Sequence, residues 1–180
     1  MLSQEEREDL LRRARAAIAS SLGIEKPAAD PPLTGPSRLA GAFVTLREHD
    51  ELRGCIGYPE GDRPLVEVIE QCAVSASMAD PRFPSLDPAE FPVVVLEISV
   101  LGPIEPVADI SEIEIGRHGL IIQLGPRRGL LLPQVATELG WDRETFVTHT
   151  CLKAGLARDA WQTGARVFKF EAEVFSEKVR

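Results

Sequence analysis

The chain has little of what marks a membrane, secreted or nucleic-acid-binding protein. No apolar run approaches the roughly 20 residues that a membrane helix needs. Acidic residues outnumber basic ones by 28 to 20, and the net charge of -8 offers no basic surface to a nucleic-acid backbone. The first residues are acidic rather than basic and show no secretory signal. These absences predict a cytoplasmic protein that binds neither membrane nor nucleic acid.

Cysteine and histidine are also scarce, which bears on disulfides and metals. The three cysteines, Cys55, Cys72 and Cys151, are odd in number and form no CxxC pair. A disulfide framework or a zinc knuckle is therefore not expected. The three histidines are equally dispersed, so the sequence predicts no metal site and no cofactor.

Helical patterns alternate with strand patterns along the chain. Ser3 and Glu6 form a capping box ahead of an amphipathic helix that ends near Gly23. The stretch 26–37 is rich in proline and alanine and is predicted to be an extended loop. Asp62 is the predicted N-cap of a second helix. Because helices and hairpins mix without a βαβ rhythm, the predicted class is α+β, in a single domain (1–180) with two lobes.

The strand patterns place the polar residues that bear on function. Phe43–Leu46 and Leu52–Tyr58 are the two arms of a predicted hairpin, with Cys55 on the second arm. In the strand predicted over 93–101, the even positions are apolar and Glu97 interrupts the odd face. Burying such a carboxylate costs several kcal/mol unless another group pairs with it.

Two further strands are predicted in the second half of the chain. His118 opens one of them. The other, 167–175, is expected to bury the alternating apolar face formed by Phe168, Phe170, Ala172 and Val174.

The segment Leu52–Gly57 is the strongest indication of a functional site. It holds an arginine, a cysteine and two glycines in six residues. Cys55 has the character of a thiol nucleophile, with His118 as its base and Glu97 as the group that orients the base. The alternative is that Cys55 is a small residue packed under a turn and His118 a loop histidine with satisfied hydrogen bonds.

Arg53 also supports two interpretations. With Gly54 and Gly57 it forms a potential anion site, in which bare backbone N–H groups and a guanidinium meet a carboxylate or phosphate. Equally, Arg53 forms a salt bridge to Glu97 or Asp80, which would explain the acid in the strand.

The ordered motifs of the chain resemble those of the AMMECR1 family. The matching segments, in family order, are 43–46, 52–57, 80–84, 96–101, 116–120, 132–136, 140–142 and 153–156. The resemblance implies a mixed, mainly antiparallel sheet with flanking helices, divided into a larger and a smaller lobe. It also implies that Cys55, His118 and Glu97 line the site. Prokaryotic relatives are often encoded beside, or fused to, a Memo-like protein and a radical S-adenosylmethionine protein, which implies these as partners.

Two functions are consistent with these residues. The first is a thiol-dependent enzyme or enzyme component, in which Cys55, His118 and Glu97 are catalytic. Its substrate-binding residues, for an acidic group, are then Arg53, Gly54, Gly57, Asp80 and Arg82. The second is a non-catalytic binding module or scaffold that holds a small acidic metabolite or the tail of a partner protein.

Overall fold

The structure is a computed structural model that describes residues 1–24 and 38–178. The loop predicted over 26–37 lies outside the described residues. The chain divides into two compact units, Met1–Val100 with Glu173–Arg180 and Leu101–Ala172. Each unit combines antiparallel strands with helices, which confirms the α+β class. Within the described ranges, no helix has the length and apolarity to cross a membrane.

The first helix, α1 (Gln4–Ser21), begins at the predicted capping box. The Ser3 hydroxyl accepts the Glu6 N–H at 3.2 Å, and the Glu6 carboxylate accepts the Ser3 N–H at 2.7 Å. These reciprocal bonds satisfy two amides that the first helical turn leaves without partners. Gly23 follows the helix with a φ of +71°, a conformation that glycine adopts without strain.

The sheet of the first unit contains β1 (Ala42–Glu48), β2 (Glu51–Tyr58) and β3 (Val95–Leu101). Both pairings are antiparallel, in the order β2-β1-β3, so the predicted hairpin is confirmed. One face shares a core with α1 and with α2 (Leu65–Met78). Leu96 and Ile98 on that face are fully buried, as the alternation in the sequence predicts.

The predicted N-cap of α2 is wrong. Pro64, not Asp62, occupies the cap position and makes no side-chain cap bond. The Leu65 N–H at the start of the helix is donated to the carbonyl of Arg38 at 2.8 Å, so a distant backbone group replaces the side-chain cap. Asp62 instead accepts a bond from the Tyr58 hydroxyl at 3.3 Å.

The second unit contains β4 (Glu105–Pro106), β5 (His118–Leu124), β6 (Arg127–Leu131) and most of β7 (Arg166–Ser176). The strands lie in the order β4-β7-β5-β6, all antiparallel. With α3 (Pro133–Glu138) and α4 (Arg143–Lys153) they enclose a second core around Leu120, Ile122 and Phe146.

The strand predicted over 167–175 forms, but its predicted apolar face is only partly correct. Phe170 is fully buried, whereas Val174 is 42% exposed. Beyond Ala172 the strand belongs to the first unit, where Glu173 on the opposite face accepts bonds from the Leu2 N–H and from Arg7. The alternation therefore does not describe one continuous buried surface.

Candidate functional site

A row of three side chains crosses the first unit's sheet on the face opposite the helices. Cys55 on β2 pairs with Thr45 on β1, and Thr45 pairs with Glu97 on β3. Directly opposed residues of antiparallel strands point to the same face, and their Cβ atoms are about 5 Å apart. Their sequence neighbours Val44 and Leu46 face the helical core. We call Cys55, Thr45 and Glu97 the thiol row.

The backbone brings Thr45 and Cys55 unusually close within this row. The N–H of Cys55 is donated to Asp80 and its carbonyl accepts from Arg82, so both groups point away from β1. Thr45 and Cys55 are therefore the non-hydrogen-bonded type of pair, in which opposed side chains lie closest. Accordingly, the Thr45 hydroxyl lies 3.3 Å from the Cys55 sulfur and donates a hydrogen bond to it. The next pair, Thr45 with Glu97, is the wider type.

Asp80 and Arg82 hold the Cys55 peptide from the open side of β2. The Asp80 carboxylate accepts the Cys55 N–H at 2.9 Å, and Arg82 Nη2 donates to the Cys55 carbonyl at 3.2 Å. Arg82 also binds both Asp80 oxygens, through Nε at 3.0 Å and Nη2 at 2.7 Å. The pair thus supplies the acceptor and the donor that a neighbouring strand would supply. It fixes the Cys55 backbone and blocks strand addition at this residue.

This carboxylate is buried and stays charged. Asp80 is 4% exposed. Its bonds to Arg82, and secondly to the Cys55 N–H, hold the pKa of Asp80 well below its ordinary value of 3.8, against the opposing effect of burial. A charged, fully bonded group of this kind is a rigid support for the residue that it contacts.

Arg53 lies at an irregularity in the pairing of β2 with β1. The β1–β2 register shifts between Leu46 and Arg47, so Arg53 is the extra residue of a β-bulge. Its guanidinium binds Glu90 twice, at 2.8 and 2.9 Å, and the carbonyl of Pro84 at 3.0 Å. The predicted salt bridge therefore exists, but its partner is Glu90 and not Glu97 or Asp80.

The two glycines of the motif have packing roles. A Cβ on Gly54 would lie 2.2 Å from the carbonyl oxygen of Ala76 in α2, and a Cβ on Gly57 would lie 2.2 Å from the ring of Phe43. Helix α2 and an aromatic ring thus approach β2 on opposite faces. Both glycines are explained without a bound anion.

His118 lies in the second unit, at the start of β5. It is 7% exposed, and its Nδ1 accepts the backbone N–H of Glu114 at 3.0 Å. In a neutral ring this bond leaves the proton on Nε2, which then donates rather than accepts. Burial lowers the pKa of His118 below 6.5, and the charge of Lys169 acts in the same direction.

The structure thus brings Cys55, Asp80 and Arg82 into direct contact and places Glu97 on the same sheet face, beyond Thr45. Arg53 binds the neighbouring loop. Whether His118 pairs with Cys55 stays a prediction, since the two residues belong to different units.

Sequence reasoning missed Thr45 altogether. The available signal was a lone hydroxyl in the apolar run 43–46, opposite Cys55 in the predicted hairpin.

The other ionisable groups give no second centre. Cys72 is 4% exposed and Cys151 is fully buried, and burial raises the pKa of both thiols, that of Cys72 to about 11. Cys55 is the half-buried thiol among the three. In the described part of the chain, no three His, Cys, Asp or Glu side chains are grouped so as to hold a metal ion.

Comparison with known proteins agrees with this architecture. The sequence model of the AMMECR1 family matches residues 11–175. Protein MK0488 of Methanopyrus kandleri is 47% identical, over 98% of this chain and 91% of its own length. A protein of Thermofilum pendens is 45% identical, over 98% and 92%. The crystal structure of an uncharacterized protein, PH0010 of Pyrococcus horikoshii, is 41% identical and superposes with a TM-score of 0.92, covering 99% of this chain and 94% of that one. The chain therefore belongs to the AMMECR1 family.

Proposed function

We propose that the chain is a thiol-dependent enzyme, or a component of one, whose nucleophile is Cys55. The observation that carries the proposal is the hydrogen bond from the Thr45 hydroxyl to the Cys55 sulfur. A donor aimed at sulfur favours the thiolate, which is the nucleophilic form of cysteine. A cysteine packed only for its size needs no such donor.

The surrounding contacts support the same role. Asp80 and Arg82 fix the peptide of Cys55, and the thiol row fixes its side chain on one sheet face. A nucleophile needs this precision, because small displacements of the reacting atom cost large factors in rate. In this proposal Thr45 positions the sulfur and Asp80 positions the peptide. Glu97, at the far end of the row, places a carboxyl group opposite Thr45.

The test is the rate of alkylation of each thiol by iodoacetamide as a function of pH, read by peptide mass spectrometry. We expect Cys55 to react fastest, while Cys72 and Cys151 serve as buried internal references. In Thr45→Val, which removes the hydroxyl and keeps the shape, the Cys55 rate at neutral pH should fall about tenfold, because a hydrogen bond to a charged group contributes roughly 1.5 kcal/mol or more. Thr45→Ser is the matched control and should retain most of the rate.

Equal rates in the wild type and Thr45→Val would contradict the proposal, as would a Cys55 no more reactive than Cys72. His118→Ala tests the base predicted from the sequence. A lower Cys55 rate in that variant would support the pairing, and an unchanged curve would remove His118 from the mechanism.

A second candidate is a non-catalytic binding module acting with a Memo-like protein and a radical S-adenosylmethionine protein. The observation behind it is that Arg53, Gly54 and Gly57 are all engaged inside the protein, which removes three of the substrate-binding groups that the enzyme hypothesis names. Co-purification of such a partner with the Cys55→Ala variant, at wild-type yield, would favour the module. Loss of the partner would count against it.

A further inference from the structure

On the basis of the proposed thiol centre, we infer that its substrate carries a carboxylate group, which Arg82 binds beside Cys55. The sequence alone placed Arg53 at the centre of a potential anion site and counted Arg82 among the other residues that bind an acidic group. The geometry favours Arg82, because the two arginines differ in exposure and in the number of their internal bonds.

Arg53 is unsuited to the role. Its side chain is 12% exposed, and its three guanidinium nitrogens bind Glu90 and the carbonyls of Pro84 and Ser85. A substrate anion would have to displace an existing carboxylate and two carbonyl groups. That exchange offers no net gain in hydrogen bonds.

Arg82 differs on each of these points. Its side chain is 47% exposed. Its bonds to Asp80 and Cys55 use Nε and Nη2, and Nη1 makes no hydrogen bond within the part of the chain that the structure describes. The guanidinium carbon lies 5.4 Å from the centre of the Phe83 ring, so the group is held from a second direction. The Arg82 guanidinium is therefore fixed in place, is half-exposed and lies next to the backbone of Cys55.

The charges around the site select the class and orientation of the ligand. The bonds to Asp80 are the main cause that raises the pKa of Arg82, so the guanidinium beside the Cys55 carbonyl stays charged. Asp80 already offsets most of the Arg82 charge, so a singly charged carboxylate fits better than a doubly charged phosphate. Arg82 lies at the open edge of β2, whereas Glu97 lies at the inner end of the thiol row, so a carboxylate on Arg82 is placed at the strand edge.

The test compares two alkylating probes that differ in charge, iodoacetate and iodoacetamide. In both reactions the Cys55 thiolate forms a C–S bond as the C–I bond breaks and iodide leaves, the thiol proton having passed to solvent. The measured quantity is the ratio of the iodoacetate rate to the iodoacetamide rate at Cys55. It is normalised to the same ratio for the denatured chain.

We expect this normalised ratio to fall about fivefold in Arg82→Gln, the size expected for a half-exposed ion pair of roughly 1 kcal/mol. It should be largely kept in Arg82→Lys, which retains the charge. Arg12→Gln is the matched control, since Arg12 lies on α1, is 53% exposed and loses the same charge. Its ratio should equal that of the wild type.

A second measurement needs no variant. Sodium propionate should slow the reaction of wild-type Cys55 with iodoacetamide, compared with sodium chloride at equal ionic strength. An unchanged ratio in Arg82→Gln, or no protection by propionate, would overturn the inference and leave the thiol centre standing. A Cys55 that reacts with neither probe would overturn both.

Discussion

Replacing Gly54 by alanine should destabilise the first unit strongly, although the change adds a single methyl group. The new Cβ would lie 2.2 Å from the Ala76 carbonyl oxygen and 3.2 Å from its carbon. Ordinary carbon–oxygen contacts lie near 3.3 Å, so β2 and α2 would have to separate by about 1 Å. Ala76 belongs to a helix backbone and cannot rotate away. Overpacking of this kind costs about 1–3 kcal/mol, and we expect the upper end of that range.

The assay is thermal unfolding followed by far-ultraviolet circular dichroism. A loss of about 3 kcal/mol lowers the melting temperature of a chain of this size by roughly 6–12 °C. Gly61→Ala is the matched control, because a Cβ there has no neighbour closer than 3.8 Å and should change stability by less than about 0.5 kcal/mol. If the melting temperature of Gly54→Ala were as close to that of the wild type as the melting temperature of Gly61→Ala, the packing role of Gly54 would be refuted. The glycine would then have to be explained by a ligand that approaches its backbone.

Two further predictions concern ionisable groups. Asp80→Asn should lower the free energy of unfolding, measured in urea, by about 2 kcal/mol. The charge-assisted bonds from the half-exposed Arg82 to Asp80 are then lost. Since the folded-state pKa of Asp80 lies below 3.8, its stabilisation is present above that pH and is lost as the pH falls below it. Wild-type stability should therefore drop more steeply below about pH 4 than that of Asp80→Asn, and parallel acid curves would contradict this reasoning. The folded-state pKa of His118 is also lowered, so its contribution is complete above pH 6.5 and declines as the pH falls, because the unfolded chain then binds more protons. A nuclear magnetic resonance titration of the ring should give a midpoint below 6.5, and a midpoint above it would be inconsistent with the burial of His118.

The local elements could be predicted from the sequence because their causes are local. The capping box at Ser3 and Glu6 forms as the spacing requires. The alternation around Leu96 and Ile98 correctly gives the buried face of β3, since a strand has a period of two residues. The order of the family motifs also implied the mixed, mainly antiparallel fold, and the superposition on a solved structure confirms it.

The predictions that were wrong or missing concern contacts between residues that are distant in the sequence. The cap of α2 is wrong because the Arg38 carbonyl, and not a nearby carboxylate, takes the first amide of the helix. The predicted partner of Arg53 is wrong because a β-bulge breaks the regular strand alternation at this residue and because Glu90 is 37 residues away along the chain. The role of Thr45 was missed, although its hydroxyl stands out in the apolar run, because the loop and the bulge set the register that places it opposite Cys55.

The contacts also explain why the motif 52–57 has its unusual composition. Gly54 admits α2 on one face of β2, and Gly57 admits the Phe43 ring on the other. Arg53 ties the bulge to the loop that follows α2, the same loop whose Asp80 and Arg82 hold the Cys55 peptide. Each of these residues fixes the strand at or beside one position. The residue at that position is the half-buried thiol that receives the Thr45 hydrogen bond. The contacts that immobilise this one cysteine therefore support the proposal that the chemistry of its sulfur is used.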